Sequence, residues 1–344
     1  MEKKRLIVID SNSIIHRAYH ALPPLSTKKG ELVNAVYGFL LVFFKVLREF
    51  KPDFVVATFD FPALTFRHKE FKEYKATRPK APDELYNQIP KVKEILKSFN
   101  VPIFEKEGYE ADDLIGTISR LAPKKPSTRA KPSTRAELGA GQSRSELCST
   151  SGLGAGLVPH RNEVSGAGQI LPEIETIILS GDLDTLQLIN PHTKVYTLKK
   201  GVKDTILYDE RAVRERYALL PEQLVDFKAL KGDPSDNIPG VPGIGEKTAI
   251  KLLQEFENLE NLYQELEEKT ERAQKLKPDL KNKLLEYKDQ AFFSKNLAKI
   301  NQNIEIDFDF KKGEWKNYDR EKVIKILKGL EFFSLIARLP TPEA

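Results

Sequence analysis

Short, unbroken apolar runs that stop at carboxylates are what most constrain this chain. Leu6–Ile9 ends at Asp10, and Phe54–Phe59 ends at Asp60. Thr176–Leu179 is followed closely by Asp182 and Asp184, and the shorter run Val101–Phe104 leads into Glu110, Asp112 and Asp113. Such runs, bounded by turn residues, read as strands buried on both faces. Apolar helical patterns at Val33–Phe50 and Ile89–Phe99 lie between them. Strands alternating with helices predict an α/β fold with a mostly parallel central sheet flanked by helices. Ligands of such sheets bind beyond the carboxyl ends of the strands, so these acids should project into one crevice. An acidic first turn is ordinary by itself, because it complements the helix dipole. Acids at four strand ends would repel one another unless cations neutralise them.

Composition narrows the chemistry. The 344 residues are 40% hydrophobic and 31% charged, as in a water-soluble globular protein of about two domains. No run approaches the roughly 18 apolar residues of a membrane span, and no signal peptide is visible, so a cytoplasmic location and no membrane partner are expected. Cys148 stands alone, which leaves no intrachain disulfide or thiolate cluster. The five histidines are not read as a zinc set, so any metal should be a hard cation on carboxylate oxygens. Residues 1–100 carry 18 Lys/Arg against 11 Asp/Glu. A basic part beside clustered acids suits a polyanion held next to cation-binding carboxylates.

Two further stretches point to nucleic acid. Residues 65–80 interleave bases with aromatics, and helical spacing puts Arg67, Phe71, Tyr74, Lys75 and Arg78 on one face. Phosphates and unstacked bases require that combination, although aromatics packed inward on an amphipathic helix fit the pattern equally well. Residues 230–256 contain Pro-Gly240-Val-Pro-Gly243-Ile244-Gly245-Glu-Lys247-Thr248-Ala249, which reads as a helix-hairpin-helix. Its glycines permit close backbone approach, and the second helix's first amides can hold a phosphate. Between these stretches, residues 122–171 are rich in Gly, Ser and Pro and repeat Lys-Pro-Ser-Thr-Arg-Ala at 125–130 and 131–136. That tract is expected to be a flexible insertion at the amino ends of the strands, away from the crevice.

These segments, with Asn34-Ala-Val-Tyr-Gly38, Phe66-Arg67-His68 and Gly181-Asp182-x-Asp184, resemble the 5′-nuclease domain at the N-terminus of bacterial DNA polymerase I, in the wider flap-endonuclease family. The resemblance implies a PIN/5′-nuclease-like catalytic domain over 1–205 and a helical DNA-binding region over 206–344. It implies two or more Mg²⁺ or Mn²⁺ ions, with Asp10, Asp60, Glu110, Asp112 and Asp113 forming the tighter site and Asp182, Asp184, Asp233 and Asp236 the second. Lys75 and Arg78 would act on the scissile phosphate. Tyr74 and Phe71 would stack on a displaced base, and Arg17 and Arg67 would contact phosphates. The hairpin at Gly243, Ile244, Gly245, Lys247 and Thr248 would grip duplex DNA, with a K⁺ on its carbonyls. The implied enzyme is a metal-dependent 5′-3′ exonuclease and flap endonuclease acting on 5′ flaps, nicks, 5′ ends and RNA–DNA hybrids. It would be bacterial and nucleoid-associated, acting alone or as part of a longer polymerase. On this reading Asp113→Ala should abolish cleavage and spare flap binding. The rivals are a non-catalytic flap- or duplex-binding module and a PIN-type ribonuclease.

Overall fold

In the computed structural model, which describes residues 3–122, 173–315 and 318–340, six strands form one sheet. They are β1 (Lys4–Asp10), β2 (Phe54–Thr58), β3 (Ile103–Phe104), β4 (Ile174–Ser180), β5 (Thr193–Lys200) and β6 (Asp204–Tyr208), in the order β3-β2-β1-β4-β5-β6. β1 through β5 run parallel and β6 is antiparallel to β5. Three of the four apolar runs named above are β1, β2 and β4, buried on both faces as the absence of polar alternation requires, while Val101–Phe104 supplies only the two half-buried residues of β3. β5 and β6 had not stood out, because β5 mixes Thr, Lys and Tyr with its apolar residues.

The chain leaves β1 toward β2 and β3 on one side, and builds β4 and β5 on the other. The direction of winding therefore reverses between β1 and β4, which is where a parallel sheet opens a crevice at its carboxyl edge. Asp10 and Ser180 end these two neighbouring strands, so the first candidate ligand lies at the reversal.

One apolar layer covers the sheet with helices Ser11–Ala21, Asn34–Phe50 and Ile89–Ser98. The other face is covered by helix Ala111–Leu121 and residues around Tyr208–Val213. A third cluster joins helices Gln223–Lys231, Glu246–Phe256 and Leu259–Glu268 into a separate helical core. The partition expected at residue 205 is drawn differently by this packing. Tyr318, Val323, Leu327 and Leu335 belong to the first sheet layer, and Ile300 to the second. Trp315 sits edge-on to Phe43 and Tyr318 packs on Phe99, so the end of the chain returns to the α/β unit. Buried aromatics supply that return, and their lysine- and glutamate-rich context had hidden it.

The tract expected as an insertion at 122–171 lies outside the described residues, apart from Ala122. Among the described residues, no helix is long and apolar enough to cross a membrane.

Candidate metal and nucleic-acid site

Asp10 leaves β1 as the N-cap of helix Ser11–Ala21 and accepts from Ser13 N at 3.2 Å. Ser180 Oγ, from the neighbouring strand end, donates to Asp10 Oδ2 at 2.6 Å. Asp60 follows β2 and accepts from Ala111 N at 2.8 Å, which ties it to the start of helix Ala111–Leu121. With Glu110, Asp112 and Asp182, these acids line one cavity of about 480 Å³. Asn12, Ser13, His16, Arg17, His20, Lys75 and Arg78 line it as well, with Ala111 and Gly181.

Charge crowding leaves a mark on these acids. Burial, and then Asp60, raises the Asp10 carboxyl to about 6 despite the two serine hydrogen bonds. Burial, followed by Asp10 and Asp182, pushes Asp112 well above the usual carboxylate range. Asp60 opens to the crevice, yet the surrounding wall limits its hydration and raises it too. Ionising these acids therefore costs more than in water, a cost that a bound cation would offset.

A second group lies closer together. One oxygen each from Asp184, Asp233 and Asp236 falls within 4.8 Å of the others. Asp184 sits in the short 3-10 turn Leu183–Leu188 capped by Asp182, while Asp233 and Asp236 lie in the hairpin after Gly232. Among the described residues, these are the three acids whose oxygens gather that closely. Asp182 lines the cavity of the first group and also accepts from Asp184 N at 2.9 Å, so it stands between the two groups.

Asp113 also departs from expectation. It is 0% exposed, and its two oxygens take both guanidinium ends of Arg67 at 2.8 Å each. Asn301 N adds a further donor at 2.8 Å. Helical geometry explains the difference between neighbours: Asp112 faces the crevice, and Asp113, about 100° further round, faces the core. Arg67 is 2% exposed and also donates to the carbonyls of Leu297 and Lys299, so it offers no group to a phosphate.

The shared face expected over residues 65–80 does not form. The helix covers only Phe66–Glu70, and turns follow it. Lys75 adopts φ 57 and donates its backbone N–H to Asp236 O, while Asn237 Nδ2 bonds Glu73 O. Docking onto the hairpin therefore overrides the helical spacing. Tyr74 is 3% exposed, with its hydroxyl 3.2 Å from Glu110 Oε2 and 3.3 Å from Asp236 Oδ2. It joins the two acid groups and presents no face to a base. Phe71 is half-buried and packs edge-on against Phe293. Lys75 and Arg78 do reach the crevice: Lys75 Nζ lies 2.8 Å from Glu110 Oε1, and Arg78 pairs with Asp236.

Several residues at or beside the two acid groups carried little signal in the sequence. Lys228 pairs with both Asp184 and Asp233, although nothing in its helical context marks it. His16 and His20 stand one helical turn apart on the crevice wall, a spacing visible in sequence but not read as part of a site. Arg17 was expected there, and it donates to Gly181 O at 3.1 Å from the same helix.

The hairpin joins helices Gln223–Lys231 and Glu246–Phe256. Ile244 is buried, while Gly243, Gly245 and Lys247 are exposed and Thr248 is half-buried in the first turn of the second helix. Gly240 has φ +62, and a Cβ there would come 2.2 Å from Gly232 N. Gly240→Ala should therefore cost roughly 2–4 kcal/mol from left-handed strain plus overpacking, read as a lower denaturant midpoint.

Comparison with known proteins adds to this geometry. Residues 5–130 match the model of the 5′-3′ exonuclease N-terminal resolvase-like domain, and residues 219–321 match that of the 5′-3′ exonuclease C-terminal SAM fold. DNA polymerase I of Bacillus subtilis is 39% identical across 100% of this chain, which spans 33% of that protein. A 5′-3′ exonuclease of Aquifex aeolicus is 32% identical over 97% of this chain and 94% of its own length. Among solved structures, the T5 5′-exonuclease with bound zinc superposes with a TM-score of 0.60 at 17% identity, covering 87% of this chain and 90% of that one. The catalytic core of Rad2 in complex with DNA superposes at 0.55 and 17% identity, over 98% and 93%. Matched in both segments and along nearly the whole of a relative of its own size, this chain belongs to the 5′-3′ exonuclease family.

Proposed function

We propose that this chain hydrolyses phosphodiester bonds at 5′ ends and 5′ flaps of DNA, with two divalent cations, Mg²⁺ or Mn²⁺, held by its two carboxylate groups. The observation that carries the reading is the convergence of Asp10, Asp60, Glu110, Asp112 and Asp182 on one cavity shared with Lys75, Arg78 and Arg17, beside the Asp184–Asp233–Asp236 triad. The donor set fits hard cations, since all of its acids offer oxygen and several are held at raised pKa by burial and then by neighbouring carboxylates. When bound, such ions supply a water of lowered pKa and stabilise the attacking and leaving oxygens of an in-line displacement.

The chain's own residues supply position and charge. Lys75 and Arg78 bring positive charge to the cavity wall, where they offset the charge that grows on a phosphate during cleavage. Ser13 and Ser180 orient Asp10 by hydrogen bonds, and Ala111 N orients Asp60. Arg17, with His16 and His20 on the same helix, gives the approaching strand a polar wall. The hairpin, with Gly243, Gly245, Lys247 and Thr248, offers backbone and lysine donors to the phosphates of the duplex, and its carbonyls can take a K⁺. A polymerase segment is the partner that the DNA polymerase I relatives suggest, since the chain spans about a third of their length, and RNA–DNA hybrids are proposed as a further substrate. The DNA complex reported for Rad2 and the metal-bound T5 5′-exonuclease support the reading.

The test is a 5′-labelled flap duplex incubated with the chain, with and without Mg²⁺, beside Asp10→Asn. Metal-dependent product is expected, falling more than about 100-fold in Asp10→Asn, a range reached even when an outer-shell partner is lost. Tight flap binding with no product in Mg²⁺ or Mn²⁺ would favour a binding module instead.

A further inference from the structure

The carboxylates of Asp184, Asp233 and Asp236 already pair with cations that belong to the chain. Lys228, on helix Gln223–Lys231, places Nζ 2.5 Å from Asp233 Oδ2 and pairs with Asp184 Oδ1 as well. Arg78 closes on Asp236 Oδ1. Three negative groups are thereby offset by two positive ones. The Lys228 side chain is only one-fifth exposed, so its ammonium has exchanged much of its water for these oxygens.

We infer that Lys228 is the resident counter-ion of the Asp184–Asp233–Asp236 site and that a divalent cation must displace its ammonium to bind there. The inference rests on reading the triad as a cation site. Both occupants need the same place: a divalent ion takes carboxylate oxygens at roughly 2.0–2.6 Å, and Nζ now lies among the oxygens it would use. Two cations cannot share that volume without strong repulsion. Lysine suits such exchange, because its charge rides on a flexible four-carbon stem and its three donors impose no planar geometry. In the absence of metal, the ammonium keeps the turn after Ser180 and the hairpin at Asp233 joined. The consequence is a second cation that binds more weakly than its three carboxylates alone would allow. Occupancy of that position then depends on cation concentration in a way set by Lys228.

Mn²⁺ binding, followed by electron paramagnetic resonance and calorimetry at fixed ionic strength, tests this on the wild type, Lys228→Met and Asp236→Asn. Lys228→Met should bind its second ion at least tenfold more tightly. In chelator its melting temperature should fall below the wild type's, with a larger rise on adding Mn²⁺. Lys228→Gln, which keeps donors but not charge, should tighten the ion in the same direction if the Met variant folds poorly. Second-ion affinity unchanged or weaker in both Lys228 variants, with that ion still lost in Asp236→Asn, would overturn the counter-ion role and leave the site standing. If Asp236→Asn binds as many ions as the wild type, the triad is not a cation site and the inference fails with it.

Discussion

Asp113→Ala is expected to destabilise the protein by about 3–5 kcal/mol, the cost of leaving one member of a buried ion pair alone. Arg67 would keep its charge in the core with Glu110 Oε2 at 3.3 Å and two carbonyls as its remaining partners. The same substitution would free Asn301 N and Glu110 N, which now donate to the lost oxygens, and so loosen the chain near 301 and the helix start. Thermal and denaturant unfolding in chelator measure this without reference to activity. The double variant Arg67→Met/Asp113→Leu should recover most of the loss, since apolar replacement of a whole buried pair is often near neutral. Any fall in cleavage should track the fraction of folded protein. A variant that melts with the wild type yet has lost all cleavage would return Asp113 to the role of metal ligand.

Asp112→Asn, one residue away, should behave in the opposite sense. It removes a charge that burial, Asp10 and Asp182 all disfavour, so metal-free stability should rise while cleavage falls by more than about 100-fold, beyond the loss of an outer-shell partner. The pH dependence carries the same signature. Asp10 and Asp184 are both raised to about 6, each first by burial, with Asp182 next for Asp184. Their folded forms hold protons that the unfolded chain releases near pH 3.9, so protonation favours the native state. In chelator, stability from these groups should be full below about pH 4 and decline as the pH rises through about 6. Mn²⁺ should flatten that decline, and Asp112→Asn should reduce it. A chelated protein whose melting temperature does not fall between pH 4 and pH 7 would mean these acids are better solvated than their burial indicates.

Neighbours in sequence thus part company in space, and this sets the limit of what could be read in advance. Asp112 and Asp113 both sit in an acidic first turn, and only the placement of Arg67 behind the helix separates the acid that lines the crevice from the one paired in the core. Arg67 itself looked like a phosphate contact, because a basic residue beside aromatics has the same appearance whether it faces water or a carboxylate in the core. Lys228 carried no signal, since its partners lie 44 residues upstream in one case and 5 residues downstream in the other.

The sequence alone determined the parallel sheet, the crevice at its carboxyl edge and the hairpin, and all but Asp113 of the acids expected just beyond the strand ends at Asp10, Asp60 and Glu110 line that crevice. Each follows from local rules: unbroken apolar runs must be buried on both faces, ligands gather where strands end, and closely spaced glycines mark backbone contact. Only the tertiary structure decided which acids stand closest, which charges are spent inside the protein, and where the end of the chain packs. Those outcomes depend on pairings between distant segments, Arg67 with Asp113, Tyr74 with Asp236, Lys228 with Asp184, and Trp315 with Phe43. A charge has the same letter whether it is desolvated or free, and its environment exists only once the chain has folded around it.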